Sequence, residues 1–480
     1  VTHTDADRVL RGSLRDAVVA LRRRDIAAVE LVAAAIARHA ELDVQLGAYR
    51  SFDAASAIEQ ARAADVILDE ATSHPEVVPP PLCGIPVSVK DIYGTAGFPT
   101  YAGSARHLPA DPWSHDAWLV TQTRKAGAVI MGKTHTVEFA YGGVGINPHW
   151  GTPWNPWDSD TARIPGGSSC GAGVSLWERS AMVALGTDTG GSIRIPAAFT
   201  GVVGHKTTIG RWPTEGVVQL SSTFDTVGAL TRSVEDSIWF FASADPNSED
   251  PADVLERLEA SSLDGLKIGI PECALWGACQ ADIRGVLEGA LAEIAEAGAQ
   301  LHRFVATILD DAVDLYMSSG IGKSEVFVFL QDRLPGAIEL LHPTVGNRLA
   351  DPLSLDGSRY KDSLAGQQHL AGLAETAFGD SDVIVLPANL ITPPPIDGLA
   401  DDLQAYGEVN YATLRPTCPI NLLELCAVSV PVGLDPFGMP VGLQVVGRHG
   451  QDDVLLGVAL AIERTLGTAE ERLGTPSMVR

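Results

Sequence analysis

Residues 165–196 read PGGSSCGAGVSLWERSAMVALGTDTGGSIRIP. Two glycine-serine clusters, Gly166-Gly167-Ser168-Ser169 and Gly190-Gly191-Ser192, bracket an apolar middle. Glycine lets a backbone approach a ligand and take dihedrals that a Cβ forbids, and each cluster also delivers a hydroxyl. The pattern predicts a helix over 169–178 and then a strand over 181–186. At about 1.5 Å per helical residue and about 3.3 Å per strand residue, the two legs run roughly 15 and 20 Å. Legs of similar length fold back on each other and bring Ser168 toward Ser192. Pro196 then suits an early helical position and Gly201 a stop, which predicts a short helix over 195–200. Ser192 would stand just before that helix N-terminus, where N–H groups point outward. The consecutive amides of Thr189, Gly190, Gly191 and Ser192 could converge on one point, which is what an oxyanion hole requires.

Upstream, residues 84–91 read GIPVSVKD. Ile85, Val87 and Val89 alternate with Pro86, Ser88 and Lys90, so a strand is expected with the lysine on one face. Desolvation on such a strand lowers a lysine from its usual value of about 10.4 and makes a neutral amine available as a base.

Two other patterns mislead. Gly127-Ala-Val-Ile-Met-Gly132-Lys133-Thr134 matches the phosphate-loop spacing, but the residues between its glycines look like a strand rather than a loop. Gly167-Ser168-Ser169-Cys170-Gly171 satisfies G-x-S-x-G around Ser169. The preceding DSDTARIPG is no strand, so a nucleophile elbow is not expected there.

Around these motifs the chain alternates helices and strands. Helices are expected through 5–70, over 114–127, from 282 to 297, across 308–333 and over 453–466. Strands are expected at 128–131, 265–270, 382–387, 427–432 and 441–446. The alternation argues for an α/β fold. Residues 138–156 are rich in glycine and aromatics without a period, and such long irregular stretches are often functional.

The 480 residues are 45% hydrophobic and 20% charged, a globular composition. Acids outnumber Lys and Arg 60 to 34, for a net charge of −26, which argues against nucleic acid or an anionic membrane as partner. No apolar run reaches the roughly 18 residues of a membrane span, and the opening is too polar for a signal peptide. Six scattered cysteines form neither a disulfide framework nor a zinc pattern, so a cytoplasmic location is expected.

GIPVSVKD, PGGSSCG and GTDTGGSIRIPAAFTG, in that order, resemble the amidase signature family of serine amidohydrolases. Ser168 and Ser192 have the separation of that family's two catalytic serines, and the likeness extends to 131–139, 145–156 and 431–447. The resemblance implies the amidase-signature fold, a central mixed β-sheet covered by helices on both faces. It implies one amidase domain over 1–480, with an N-terminal helical segment over 1–75. A signature core over 80–235 and a remainder over 236–480, holding the variable pocket region, complete it. It further implies Lys90 as base, Ser168 as bridging serine with a cis peptide, and Ser192 as nucleophile. Oxyanion donors would come from Thr189 to Ser192, and Ser169, Asp188 and Arg194 would support the site.

The chemistry follows from those groups. A serine hydroxyl becomes a nucleophile when a base takes its proton. A buried neutral lysine can do so through an intermediate hydroxyl, which also returns a proton to the departing nitrogen. The expected reaction is hydrolysis of a small-molecule carboxylic amide through an acyl-enzyme on Ser192, giving a carboxylate plus ammonia or an amine. No metal or organic cofactor is required. Carbamate or urea-type substrates, and the glutaminase component of a tRNA-dependent amidotransferase, are the alternatives. The expected partner is the small-molecule amide, with a homodimer as an allowed assembly. Phe139, Ala140 and Tyr141, with the stretch 316–345, are the expected pocket residues. Cys170 and Leu176-Trp177-Glu178-Arg179 depart from the small residues the family favours, and Trp177 needs a place to pack.

Overall fold

The computed structural model describes residues 5–349 and 357–480. Its centre is a mixed sheet of eleven strands among the described residues. In chain order these are β1 (Tyr49–Phe52), β2 (Pro86–Lys90), β3 (Val129–Thr134), β4 (Val183–Asp188), β5 (Val203–Lys206) and β6 (Thr226–Thr231). They continue with β7 (Lys267–Glu272), β8 (Gln300–Val305), β9 (Val383–Pro387), β10 (Cys426–Leu434) and β11 (Pro440–Gly447). Across the sheet the order is β1-β3-β2-β4-β6-β5-β10-β11-β9-β7-β8.

β2 lies parallel to both β3 and β4, whereas β6, β5, β10 and β11 are joined by antiparallel pairs. β2, β3 and β4 are buried at every residue, so both faces of the sheet are covered where they lie. β8 is mostly exposed, as befits an edge strand.

The apolar alternation of 84–91 forms β2, and the strand ends on Lys90. The strand read at 181–186 runs over Val183–Asp188 instead, so Asp188 closes β4 and Thr189 opens the loop beyond it. The preceding helix is Ala172–Glu178, shorter than 169–178 because Ser169, Cys170 and Gly171 belong to the loop. The helix after Ser192 is Arg194–Thr200, stopped by Gly201 in the left-handed region. The phosphate-loop look-alike is strand: Val129–Thr134 is β3.

Helices at 5–70 form as read, but β1 interrupts them, and β5, β6 and β8 are further strands that periodicity does not predict. β1 and β5 have four residues each, too short to show a period of two. Trp177 is wholly buried; its ring meets that of Trp157 edge-on at 5.6 Å, and both indoles donate to the Thr200 carbonyl.

Candidate active site

The ends of β2 and β4 and the loop before Ala172–Glu178 bring the motif residues together. Lys90 Nζ lies 2.7 Å from Ser168 Oγ and 2.8 Å from Thr187 Oγ1. The lysine is fully buried, and no carboxylate pairs with it among the described residues. Burial lowers its pKa from 10.5 to about 7, so a large fraction is the neutral amine at neutral pH. A neutral amine has two hydrogens and one lone pair. With Thr187 taking one N–H, the lone pair is free to face Ser168.

The Gly167–Ser168 peptide is cis, as the family resemblance implies. Ser169, the second serine of the pair, donates from Oγ to the Ser192 carbonyl at 2.5 Å, and its amide donates to the same oxygen. It ties the two glycine-serine clusters together through the main chain. Ser192 itself is 4% exposed and borders a cavity of about 240 Å³.

The loop over Thr189–Ser192 is held from below by a buried ion pair. Arg194 Nη2 and Nε lie 2.8 and 3.0 Å from the two oxygens of Asp188. Asp188 also accepts from Asn421 Nδ2 and from the amides of Gly191 and Ile193. Burial alone would raise the Asp188 carboxyl, but the Arg194 guanidinium and these donors hold it well below the usual carboxylate range. Of the four amides expected at an oxyanion hole, that of Gly191 is therefore committed to Asp188 at 2.8 Å. Those of Gly190 and Ser192 have no partner among the described residues.

Gly191 needs to be glycine on two counts. Its φ is +133°, and a Cβ there would meet Thr417 Oγ1 at 2.0 Å. Thr189 is anchored by its hydroxyl to Asp225 at 2.6 Å, a carboxyl that burial pushes up to about 6.

Ala140 and Tyr141 border the cavity as expected. Phe139 does not: its ring faces a separate hollow beside Leu108 and Leu340. Phe139 and Ala140 are both left-handed, with φ of +48° and +56°, and this turn sends neighbouring side chains to different sides of the chain.

Sequence reasoning missed Thr187, Thr417, Asn410 and Arg348. Thr187 lay inside GTDTGGS and was findable as a hydroxyl one residue before Asp188. Thr417, Asn410 and Arg348 belong to segments without a motif, and only the fold carries them to the site. Tyr316, Met317 and Ile321 do come from 316–345.

Lys90 thus stands beside the Ser168 hydroxyl, and Ser192 lies on a loop whose Gly190 and Ser192 amides have no partner among the described residues. The family model described as Amidase matches residues 30–456. A 2-amino-5-chloromuconic acid deaminase of Comamonas testosteroni is 41% identical over 97% of this chain and 98% of its own length. The A component of a glutamyl-tRNA(Gln) amidotransferase from an Anaeromyxobacter species is 35% identical over 97% and 98%. A crystal structure of an amidase superimposes with a TM-score of 0.83 at 29% identity, covering 95% of this chain and all of the other. The chain belongs to the amidase family and is an amidase-type hydrolase of C–N bonds.

Proposed function

We propose that the protein hydrolyses a small carboxylic amide through an acyl-enzyme on Ser192, with Ser168 and Lys90 as the proton relay. The observation that carries this reading is the burial of Lys90 without a paired carboxylate, its hydrogen-bond partners among the described residues being two hydroxyls. Ser192 Oγ attacks the carbonyl carbon while its proton passes by way of Ser168 to the Lys90 amine. The anionic oxygen is held by the amides of Gly190 and Ser192, with Thr189 beside them; one such donor is typically worth about 10²–10³ in rate. Collapse breaks the C–N bond as the proton returns through Ser168 to the departing nitrogen, so ammonia or an amine leaves rather than its anion. Water then adds to the ester, gives its proton to the same relay, and releases the carboxylate and Ser192. Asp188 and Arg194 set the loop geometry, and Ser169 holds Ser192 against the Ser168 segment. None of these steps calls for a metal or an organic cofactor.

Similarity to the Comamonas deaminase favours a second reading, removal of an amino group from carbon, in which ammonia appears without cleavage of a carboxamide. The amidotransferase relatives favour a third, glutamine hydrolysis for a partner. Carbamates and ureas fit the same relay. One chain suffices for the chemistry, and a homodimer is compatible with it. A cytoplasmic setting is part of the reading, and six free cysteines agree with a reducing compartment.

The test is labelling with a serine-directed fluorophosphonate followed by peptide mass spectrometry. The adduct is expected on Ser192, with release of ammonia from small amides by the purified chain. An adduct on Ser168 or Ser169 instead, with Ser192 unlabelled, would sink the assignment of the nucleophile.

A further inference from the structure

A buried carboxylate that the relay does not use gathers three segments of the chain beside the Ser192 cavity. Glu325 lies on the helix Ile321–Arg333 and is 7% exposed. Its Oε1 accepts from the hydroxyls of Thr223, Tyr360 and Ser222 at 2.5, 2.8 and 2.9 Å. Its Oε2 accepts from the Ser221 hydroxyl and, at 3.3 Å, from the Thr223 amide. A carboxylate offers about four lone-pair sites on its two oxygens, so these donors saturate it and fix its orientation.

The turn that supplies most of those donors is closed from its other side by Asp225. Asp225 Oδ2 accepts from the amides of Leu220 and Ser221 at 2.9 and 3.0 Å. Ser221 therefore bridges two carboxylates, with its hydroxyl on Glu325 and its amide on Asp225. The other oxygen of Asp225 accepts from the Thr189 hydroxyl at 2.6 Å. Thr189 opens the loop that carries the unpaired amides of Gly190 and Ser192. A second strut reaches the same residue: Tyr316, on the helix Thr307–Ser319, donates to the Thr189 carbonyl at 3.1 Å. Its ring lies 5.3 Å from that of Phe224, at the end of the turn.

This run of bonds ends where aim matters. An oxyanion donor works only when its N–H points at the oxygen that gains charge, and small misplacements cost rate. Gly190 and Gly191 have no side chains to hold them, so the aim of the loop is set by its neighbours. Asp188 grips the Gly191 amide from below, and Thr189 is held from the side of the turn.

We propose that Glu325 is a positioning residue for C–N bond hydrolysis. It clamps the 221–223 turn to the helix Ile321–Arg333 and, through Asp225 and Thr189, aims the amides of Gly190 and Ser192. The inference rests on Ser192 as the reacting group. Glu325 touches neither that hydroxyl nor the relay, so its loss acts on the loop and leaves the sheet as it is.

Two measurements on the full chain test this. The first is amide hydrogen exchange read by mass spectrometry. In Glu325→Gln, which keeps the size of the side chain and one acceptor, the peptide holding 189–192 should exchange at least fivefold faster, and a peptide from β11 should not change. Thr223→Val, which removes one donor and keeps the carboxylate, should move the same peptide by a smaller factor. The second is the rate at which a fluorophosphonate labels Ser192, since its phosphoryl oxygen needs the same amides. Glu325→Gln and Thr189→Val should each slow labelling by roughly tenfold, a part of the 10²–10³ that one donor is worth. Combined, they should slow it little more than either alone, because coupled residues are not additive. Unchanged exchange at 189–192, equal acceleration in β11, or a combined loss near a hundredfold overturns the inference. Exchange at 189–192 that responds to Glu325, in a protein whose Ser192 takes no label, sustains the clamp and overturns the assignment of the nucleophile instead.

Discussion

The two walls of the cavity are built on different principles. The inner wall, from β2, β4 and the glycine-serine loops, is almost wholly buried, and the side chains that shape it are paired: Ser169 with the Ser192 carbonyl, Asp188 with Arg194, Thr189 with Asp225. The outer wall comes from the helices Thr307–Ser319 and Ile321–Arg333, joined at a left-handed Gly320, and from the segment around Arg348. There Arg348 donates to the Thr344 and Tyr141 carbonyls and pairs with no carboxylate among the described residues. Paired and buried groups hold reacting atoms to a fixed geometry, while unpaired ones wait for a ligand to complete them. On the proposed reading the inner wall would set the reaction and the outer wall the acyl group.

The largest test of that division falls on the inner wall. Ser192→Ala should lower kcat/KM by roughly 10⁴–10⁶, as loss of a covalent nucleophile does, while far-ultraviolet circular dichroism stays unchanged. Lys90→Met should cost about 10²–10⁴, the usual contribution of a general base. The pH profile sharpens the assignment. Only the neutral amine accepts a proton, so kcat/KM should rise about tenfold per unit of pH below about 7 and level off above it. Residual activity of Lys90→Met should lack that limb. Lys133 provides the contrast on the neighbouring strand: burial lowers it too, but Asp91 stands 3.0 Å from its nitrogen and opposes that lowering, whereas no carboxylate pairs with Lys90 among the described residues. A wild-type profile flat from pH 5 to 9 would break the distinction between these two lysines.

The same division decides what could be read from the sequence. The meeting of Lys90 with Ser168 is legible because close backbone approach and a buried base demand particular residue types at particular spacings. Trp177 looks out of place in the family pattern, and its packing against Trp157 becomes visible only once residues twenty apart have met. Arg348, Tyr406 and Asn410 give no signal. They lie 150 residues or more beyond Ser192, their spacing carries no motif, and only the crossing of helices over the sheet brings them to Gly142. Phe139 suits a pocket by its composition, and two left-handed residues in succession turn it away. Strand identity fails in the same way where four residues such as Val203–Lys206 are too few to show alternation.

The smaller predictions separate support from specificity within the inner wall and its border. Ser168→Ala should approach the Lys90→Met loss, because either change cuts the one proton path. Ser169→Ala removes a hydrogen bond to the Ser192 carbonyl while the Ser169 amide still holds that oxygen, so a loss of roughly fivefold is expected from a net bond of about 1 kcal/mol. The reverse ranking would exchange the roles of the two serines. Phe139→Leu should have the least effect on catalysis. It borders the hollow beside Leu108 and Leu340 rather than the Ser192 cavity, so a smaller apolar residue should cost about 1.5 kcal/mol of stability or less. It should leave kcat/KM for small amides unchanged. A changed kcat/KM would mean that the 139–141 turn transmits packing to Tyr141 and the Ser192 cavity, and that the two walls are not independent at that turn.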